Sequence, residues 1–224
     1  MAQSQKSDRP KYKFTHRKVV TPAAIARFPK VHEPDAYKPG DRESFKITLV
    51  FDGDTDMSVI ENAARLVAKD CFPKLKDDKV NILIKSGDDI NDARESQGKD
   101  PYEELAGKIT INASCSGAKS DNGEYLYAPM IVGPDKKALP GNMKVWSGDL
   151  VKCVLEPIPS DTPQFGTISF RLLAVQLIEK RSGDNGNAAA MFDEEGDGFA
   201  APPKAASATS DDGDDEISDD EIPF

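Results

Sequence analysis

Side chains with catalytic potential are sparse in this chain. Its two histidines, His16 and His32, both stand in a proline-rich stretch, and neither has a His or Cys neighbour at zinc-ligand spacing. Cys71, Cys115 and Cys153 are scattered and too few for a disulfide framework, so they read as reduced thiols packed as small hydrophobes. Asp52, Asp54 and Asp56 alternate like the start of a calcium loop. Gly53 is misplaced for that role and no glutamate follows at the twelfth position, so a turn leading to a helix cap is the stronger reading. No nucleophile elbow, Walker A loop or dinucleotide fingerprint is present in the sequence. The expectation is a protein that is not an enzyme and takes no cofactor and no metal.

Binding chemistry is better supplied. Lys11-Tyr12-Lys13-Phe14-Thr15-His16-Arg17-Lys18 interleaves bases with aromatics. Cations that meet phosphates, with rings that stack on bases, hold single strands without reading their sequence. A solvated arm whose aromatics anchor it to the body gives the same pattern, and the sequence leaves both readings open. Tyr125 and Tyr127 are expected on one face of a strand, with at least one of them a sheet-face or core residue. Trp146, taken alone, favours the core over a stacking platform. Phe165 sits beside Gly166 in the loop 157–166, between two strong strands, and an aromatic at a loop tip is poorly placed for a core. Lys46 and Lys144 are candidate phosphate contacts by chemistry alone.

The charge is unevenly divided. Residues 183–224 carry 13 acids and one base, while the first 182 carry the other 28 bases and 26 acids. Residues 1–50 alone hold 11 bases against 5 acids. A nearly neutral body therefore has a basic front and a strongly acidic tail. The tail loses Leu and Val altogether, cannot bury enough apolar surface to offset its ordering entropy, and is expected to be disordered. Its end, Asp219-Asp220-Glu221-Ile222-Pro223-Phe224, joins an acidic run to an apolar tip. The tip can fill a pocket on a partner while the carboxylates meet basic residues around it. The same charge can compete with DNA for a basic groove. No apolar run reaches the roughly 18 residues of a membrane span, and the first six residues lack the apolar stretch of a secretory leader. The expectation is a cytoplasmic protein with no membrane partner.

These residues need elements to position them. Residues 11–44, punctuated by Pro22, Pro29, Pro34 and Pro39, are expected to form an extended arm. Phe45 to Phe51 alternates as a half-buried strand, and Met57 to about Phe72 has helical spacing closed by Pro73. Val80 to Lys85 reads as a short strand and 86–104 as a long surface loop with a turn at 102–105. Further strands are expected at 108–115, 125–132, 145–146, 150–155 and 166–178, the last central and buried on both faces. Asp121-Asn122-Gly123 is a hairpin turn signal. The sum is five to seven strands, one main α-helix and a disordered acidic tail: a mostly β barrel or sandwich by default, and most specifically a small, partly open barrel with the helix inserted. The domain reading is 1–182 for the barrel with its basic arm and 183–224 for the tail.

Two parts of the chain resemble known proteins. Asp219-Asp220-Glu221-Ile222-Pro223-Phe224 resembles the C-terminal tip of bacterial single-stranded-DNA-binding proteins. Over roughly residues 20–180 the body resembles phage-encoded single-stranded-DNA-binding proteins with an OB-fold. That match rests on Asp41-Arg42-Glu43-Ser44-Phe45-Lys46 with the strand and helix that follow, on Pro129-Met130-Ile131-Val132, on Val145-Trp146-Ser147-Gly148-Asp149 and on Ala174-Val175-Gln176. Many phage relatives end in acids and a lone Phe, whereas this tail carries Ile-Pro-Phe, so its partners are of phage or host origin or both.

The resemblance implies an OB-fold-like five-stranded barrel with one main α-helix inserted, and sequence-nonspecific binding and protection of single-stranded DNA during phage replication, recombination and repair, in the cytoplasm of a bacterial host. It implies a tip that recruits replication and repair proteins and a tail that restrains DNA binding. By position, Arg42 resembles a phosphate-contacting arginine and Phe165 a base-stacking aromatic. The full candidate set is Arg42, Lys46, Tyr125, Tyr127, Lys144, Trp146, Phe165, Lys13 and Arg17 for DNA, and Asp219 to Phe224 for partners. Some weaker affinity for duplex DNA is compatible with binding by shape and charge, and the expected assembly is a monomer or homodimer. The competing expectation is an acidic-tailed interaction protein or DNA mimic that does not itself bind DNA.

Overall fold

A computed structural model describes residues 12–36, 38–160 and 166–181. Tyr37, residues 161–165 with Phe165, and the tail from 182 with its tip Asp219 to Phe224 lie outside the described residues. The elements are β1 (Val19–Val20), β2 (Ala24–Asp35), β3 (Ser44–Asp52), α1 (Ser58–Cys71), β4 (Val80–Ile82), β5 (Ile84–Ser86) and α2 (Gly87–Glu95), then β6 (Lys108–Ser116), β7 (Met130–Val132), β8 (Leu150–Ser160) and β9 (Gly166–Glu179).

Five of these strands close on themselves. β2 pairs antiparallel with β3, β3 antiparallel with β6, β6 parallel with β9, β9 antiparallel with β8, and β8 antiparallel with β2. This is the five-stranded barrel expected from the sequence, with the partly open Greek-key character of the OB-fold. β9 is the hub, pairing also with β4 and β7. The β6–β9 seam is narrow, registered only at Ala113–Phe170 and Ser114–Arg171. On one side of it the segment Val80–Ser86 switches partners, β4 lying on β9 and β5 on β6.

Alternation builds the core. Phe45, Ile47, Leu49 and Phe51 all turn inward from β3 and are buried. They meet Ile111 and Ala113 of β6, Ile168, Phe170 and Leu172 of β9, and Val151, Cys153 and Leu155 of β8. Each large side chain so buried contributes about 1.5–3 kcal/mol. α1 packs over β8 and β9, burying Ile60, Ala63, Ala64, Val67 and Ala68. Val59, counted with that apolar face by its spacing, is instead exposed. Asp56, expected as the helix cap, stands one residue before it: the N-cap position is Met57, and Asp56 Oδ1 accepts the Ser58 N–H at 2.9 Å.

Several expected elements differ. Residues 24–35 are a barrel strand rather than an extended arm lying on the body. Pro29 and Pro34 are tolerated because the β2–β3 register shifts beside each of them, between Arg27 and Lys30 and between Lys30 and Asp35. Within 86–104 lies α2, a helix rather than a loop. Its start is capped by Ser86 Oγ, which accepts the Asp88 N–H. It docks so closely that a Cβ on Gly87 would collide with the Leu105 carbonyl oxygen. The strand expected at 125–132 is real only over β7. Tyr125 makes a lone bridge to Lys119 and Tyr127 lies in a turn. Val145 and Trp146 are in a loop rather than a strand.

Candidate nucleic-acid interface

The outward face of the barrel is built from the same alternation as the core. Residues opposite one another in a ladder share a face. On the outer side of β2, β3 and β6 the register stacks Asp35–Ser44–Ser116, then Lys30–Lys46–Ser114, then Arg27–Thr48–Asn112. The parallel seam adds Arg171 of β9 beside Ser114. A row of cations, Lys30, Lys46 and Arg171, therefore crosses four strands with only a serine interposed. Small polar side chains flank it, and Thr48 donates to Asn112 Oδ1 at 2.6 Å.

Lys30 and Lys46 are directly opposed like charges, which a sheet disfavours unless an anion answers them. Asp35 answers Lys46 at 3.3 Å. Lys30 makes no ion pair among the described residues. Neither does Arg42, which is exposed just before β3. Arg42 and Arg171 line a groove of about 530 Å³ together with Glu43, Ser44, Ser114, Cys115, Ser116, Tyr127 and Ile158. The groove lies over the place where β6 and β9 part. Tyr127 is 55% exposed there, and its carbonyl accepts the Cys115 thiol at 3.0 Å. Burial pushes that thiol up to about 11, so it stays protonated.

Arg171 is oriented from beneath. Glu156, its ladder neighbour on β8, has a side chain only 4% exposed and pairs with the Arg171 guanidinium at 3.3 Å. The same carboxylate meets His16 Nδ1 at 2.5 Å. Sequence reasoning singled out neither Glu156 nor Arg171. The available signal was a charged pair inside two otherwise apolar strands, visible only once their register is known.

The remaining expected residues separate into two groups. Tyr125 is half-buried, its ring edge-on to Phe45 at 5.1 Å, which makes it the core-side member of the tyrosine pair. The basic arm is docked. Tyr12 packs edge-on against Phe72 at 5.2 Å, and Phe14 packs against the core. Arg17 pairs with Asp70 of α1 at 3.3 Å, while Lys13 stays exposed. The arm aromatics thus serve as anchors.

Trp146, for which the core was the favoured reading, is 56% exposed. Its loop is held by a buried carboxylate. Asp149 accepts the N–H groups of Trp146 and Arg181, each at 2.9 Å, and pairs with Lys180 at 2.8 Å. His32 Nε2 accepts the Val145 N–H at 2.9 Å, a bond only the neutral imidazole can make. Burial, followed by the charge of Lys144, holds the His32 pKa below its usual value, with Glu33 opposing. Lys144 itself reaches Glu33 at 3.6 Å.

One row along the same face, at Arg27, the surface meets an acidic segment. Residues 87–107 carry seven acids against Arg94 and Lys99. There Arg27 is consumed internally, bonded to Glu104 at 2.7 Å and stacked 4.0 Å over Tyr102, which Arg94 also covers.

Neither a protein-family profile nor a curated protein sequence matches this chain. Solved structures do. The single-stranded DNA-binding protein of bacteriophage Enc34 in complex with single-stranded DNA aligns over 74% of this chain and 86% of its own, at 20% identity and a TM-score of 0.54. A C-terminal truncation of that protein gives a TM-score of 0.51 at the same identity and coverage. The bacteriophage T7 protein gp2.5, a single-stranded DNA-binding protein, aligns over 84% of this chain and 100% of its own, at 15% identity and a TM-score of 0.50. Identities this low speak to architecture, and the architecture is that of the phage single-stranded-DNA-binding proteins.

Proposed function

We propose that this chain binds single-stranded DNA without sequence readout and protects it during phage DNA replication, recombination and repair. The observation that carries the reading is the row Lys30–Lys46–Ser114–Arg171, continued by Arg42 and the exposed ring of Tyr127. Cations facing solvent across a polar sheet face, with a ring at the end of the row, suit a flexible anionic polymer with accessible bases. Duplex DNA offers the phosphates but not the base faces, so it binds more weakly. The structural neighbours named for single-stranded DNA binding support the same reading, and they are binding proteins rather than enzymes. Phe165 belongs to the reading by its place in the loop between β8 and β9, one of the two loops OB-folds use for oligonucleotides. Lys13 belongs to it by charge, and Arg17 only by exchanging Asp70 for a phosphate.

The tail is part of the proposal. Residues 183–224 hold 13 acids and one base, which suits competition with DNA for the cationic face. Asp219 to Phe224 is the segment that recruits replication and repair proteins in the host cytoplasm.

The test is fluorescence anisotropy of labelled poly-dT with the full chain and with a 1–210 truncation at two salt concentrations. Salt-weakened binding by both, tighter for the truncation, is expected. The log–log salt slope should be about −0.7 per phosphate contacted. Weaker binding by the truncation would overturn the competing tail. No binding by either at low salt would overturn DNA binding and leave the acidic-tailed interaction protein.

A further inference from the structure

Two exposed aromatics on the β2 side of the barrel take no part in the row described above. Phe28 is 59% exposed and Trp146 is 56% exposed. They come from segments far apart in sequence but tied together. The Phe28 N–H donates to Ser147 Oγ at 2.9 Å, and the Gly148 N–H to the Ala26 carbonyl at 2.8 Å. Phe28 also adopts φ 49°, in the left-handed region. A bulky residue is poorly suited to that region, and an apolar ring gains nothing from water. Among the described residues its ring meets the Arg27 guanidinium, 4.5 Å from the ring centroid.

Each ring has a lysine two residues away: Lys30 beside Phe28 and Lys144 beside Trp146. Trp146 lines a groove of about 320 Å³ with Pro29 to Asp35, Lys144 and Val145, while Phe28 stands on the adjoining groove with Arg27, Glu104, Ser147 and Gly148. The Trp146 backbone is fixed by Asp149, which is fully buried. Two exposed rings on segments tied together through the backbone, each with a lysine two residues away in the chain, match the chemistry of unpaired nucleotides.

We infer that Phe28 and Trp146 form a second base-stacking station, on β2 and the loop before β8, for a single strand whose phosphates pass Lys30 and Lys144. This rests on the single-stranded-DNA reading and extends it beyond the β3–β6 face and its bounding loops. The station lets the strand continue off the sheet face while bases stay stacked.

The chain has a single tryptophan, so its intrinsic fluorescence reports on this station alone. Full-length protein is titrated with an unlabelled dT oligonucleotide of about 16 nucleotides, near the upper OB-fold site size. Trp146 emission should quench to a stoichiometric end point. Labelled dT anisotropy is then measured for four variants. Phe28→Gly removes the ring and suits the positive φ, so its melting temperature should equal or exceed that of the parent. Phe28→Leu keeps apolar bulk without a π-face. Both should weaken binding by a factor of about 5 or more, the worth of one stacked base. Trp146→Ala should do the same, and Trp146→Phe should restore most of the loss. The salt slope should not change in any of them, because no phosphate contact is removed. Unquenched emission alongside normal anisotropy, or wild-type affinity in both Phe28 variants, would overturn the station while the wider DNA reading stands. Absence of any dT binding by the parent protein at low salt would overturn both.

Discussion

The arm at residues 12–18 and the outer sheet face have the same raw materials, bases and aromatics, and use them oppositely. In the arm the rings of Tyr12 and Phe14 are turned onto the body, and Arg17 is answered by Asp70. On the face, Lys30 and Arg42 have no ion-pair partner among the described residues, and the rings of Tyr127, Phe28 and Trp146 stand in solvent. The difference is whether the fold has already satisfied a charge. A cation with an internal carboxylate, as Lys46 and Arg171 also have on the face, meets a ligand only by displacing or sharing that partner. A cation without one is available at no such cost. Glu156 joins the two regions, since it answers His16 of the arm and Arg171 of the face.

That joint is the place to break the contrast. Glu156→Ala should strip the partners from His16 and Arg171 together. After discounting for their exposure it should cost about 2 kcal/mol in urea denaturation. A loss below about 0.5 kcal/mol would mean that arm and face are not coupled through this carboxylate. Next in size, Arg42→Ala combined with Lys46→Ala should lower dT affinity about tenfold. It should flatten the log–log salt slope by about 1.4, for two lost phosphate contacts. An unchanged slope would show that these cations do not meet phosphates. Phe14→Ala should cost about 1 kcal/mol of stability through lost packing and leave dT affinity within about twofold. A large affinity loss at unchanged stability would return the arm to the DNA-binding surface.

His32 offers a pH test. Burial holds its folded-state pKa below the ordinary imidazole value of 6.5. The fold therefore favours the neutral ring, and that stability is present above about 6.5. It is lost as pH falls, because the unfolded chain takes up the proton first. The melting temperature should fall between pH 7.5 and 5.5 more steeply in the parent than in His32→Gln, with a change in Trp146 emission as the Val145 bond opens. Smallest of all, Arg17→Ala should shift stability by no more than about 0.5 kcal/mol, as for other exposed pairs.

Where local periodicity and tertiary role agree, the fold can be read directly from the chain. The strand Phe45 to Phe51, the α1 face Ile60–Ala64–Val67 and the long apolar run of β9 are such cases. β2 is hidden because Pro29 and Pro34 look like breakers until the bulges beside them are seen. α2 is hidden because Ile90 and Ala93 are its only apolar residues; its signals were Ser86 with Asp88 and Asp89 at the start and Gly98 beyond the end. Arg42, Lys46, Tyr127 and Trp146 could be nominated by residue type. Their grouping could not, because Lys30, Lys46, Ser114 and Arg171 are brought together by register alone. Trp146 was assigned by average behaviour to the core, and the bonds from Asp149 and His32 that hold its loop outward have no local signature.

Ring closure has a further consequence, for behaviour at high concentration. An open sheet presents at least one long row of unpaired backbone donors and acceptors, and such a row recruits further copies into fibrous aggregates. Here the five long strands each find partners within the ring. The strands appended to it, β1, β4, β5 and β7, are two or three residues long. Edges that short offer little template for cross-β growth. The barrel can therefore crowd along a polymer, copy beside copy, with little tendency to condense through its own backbone.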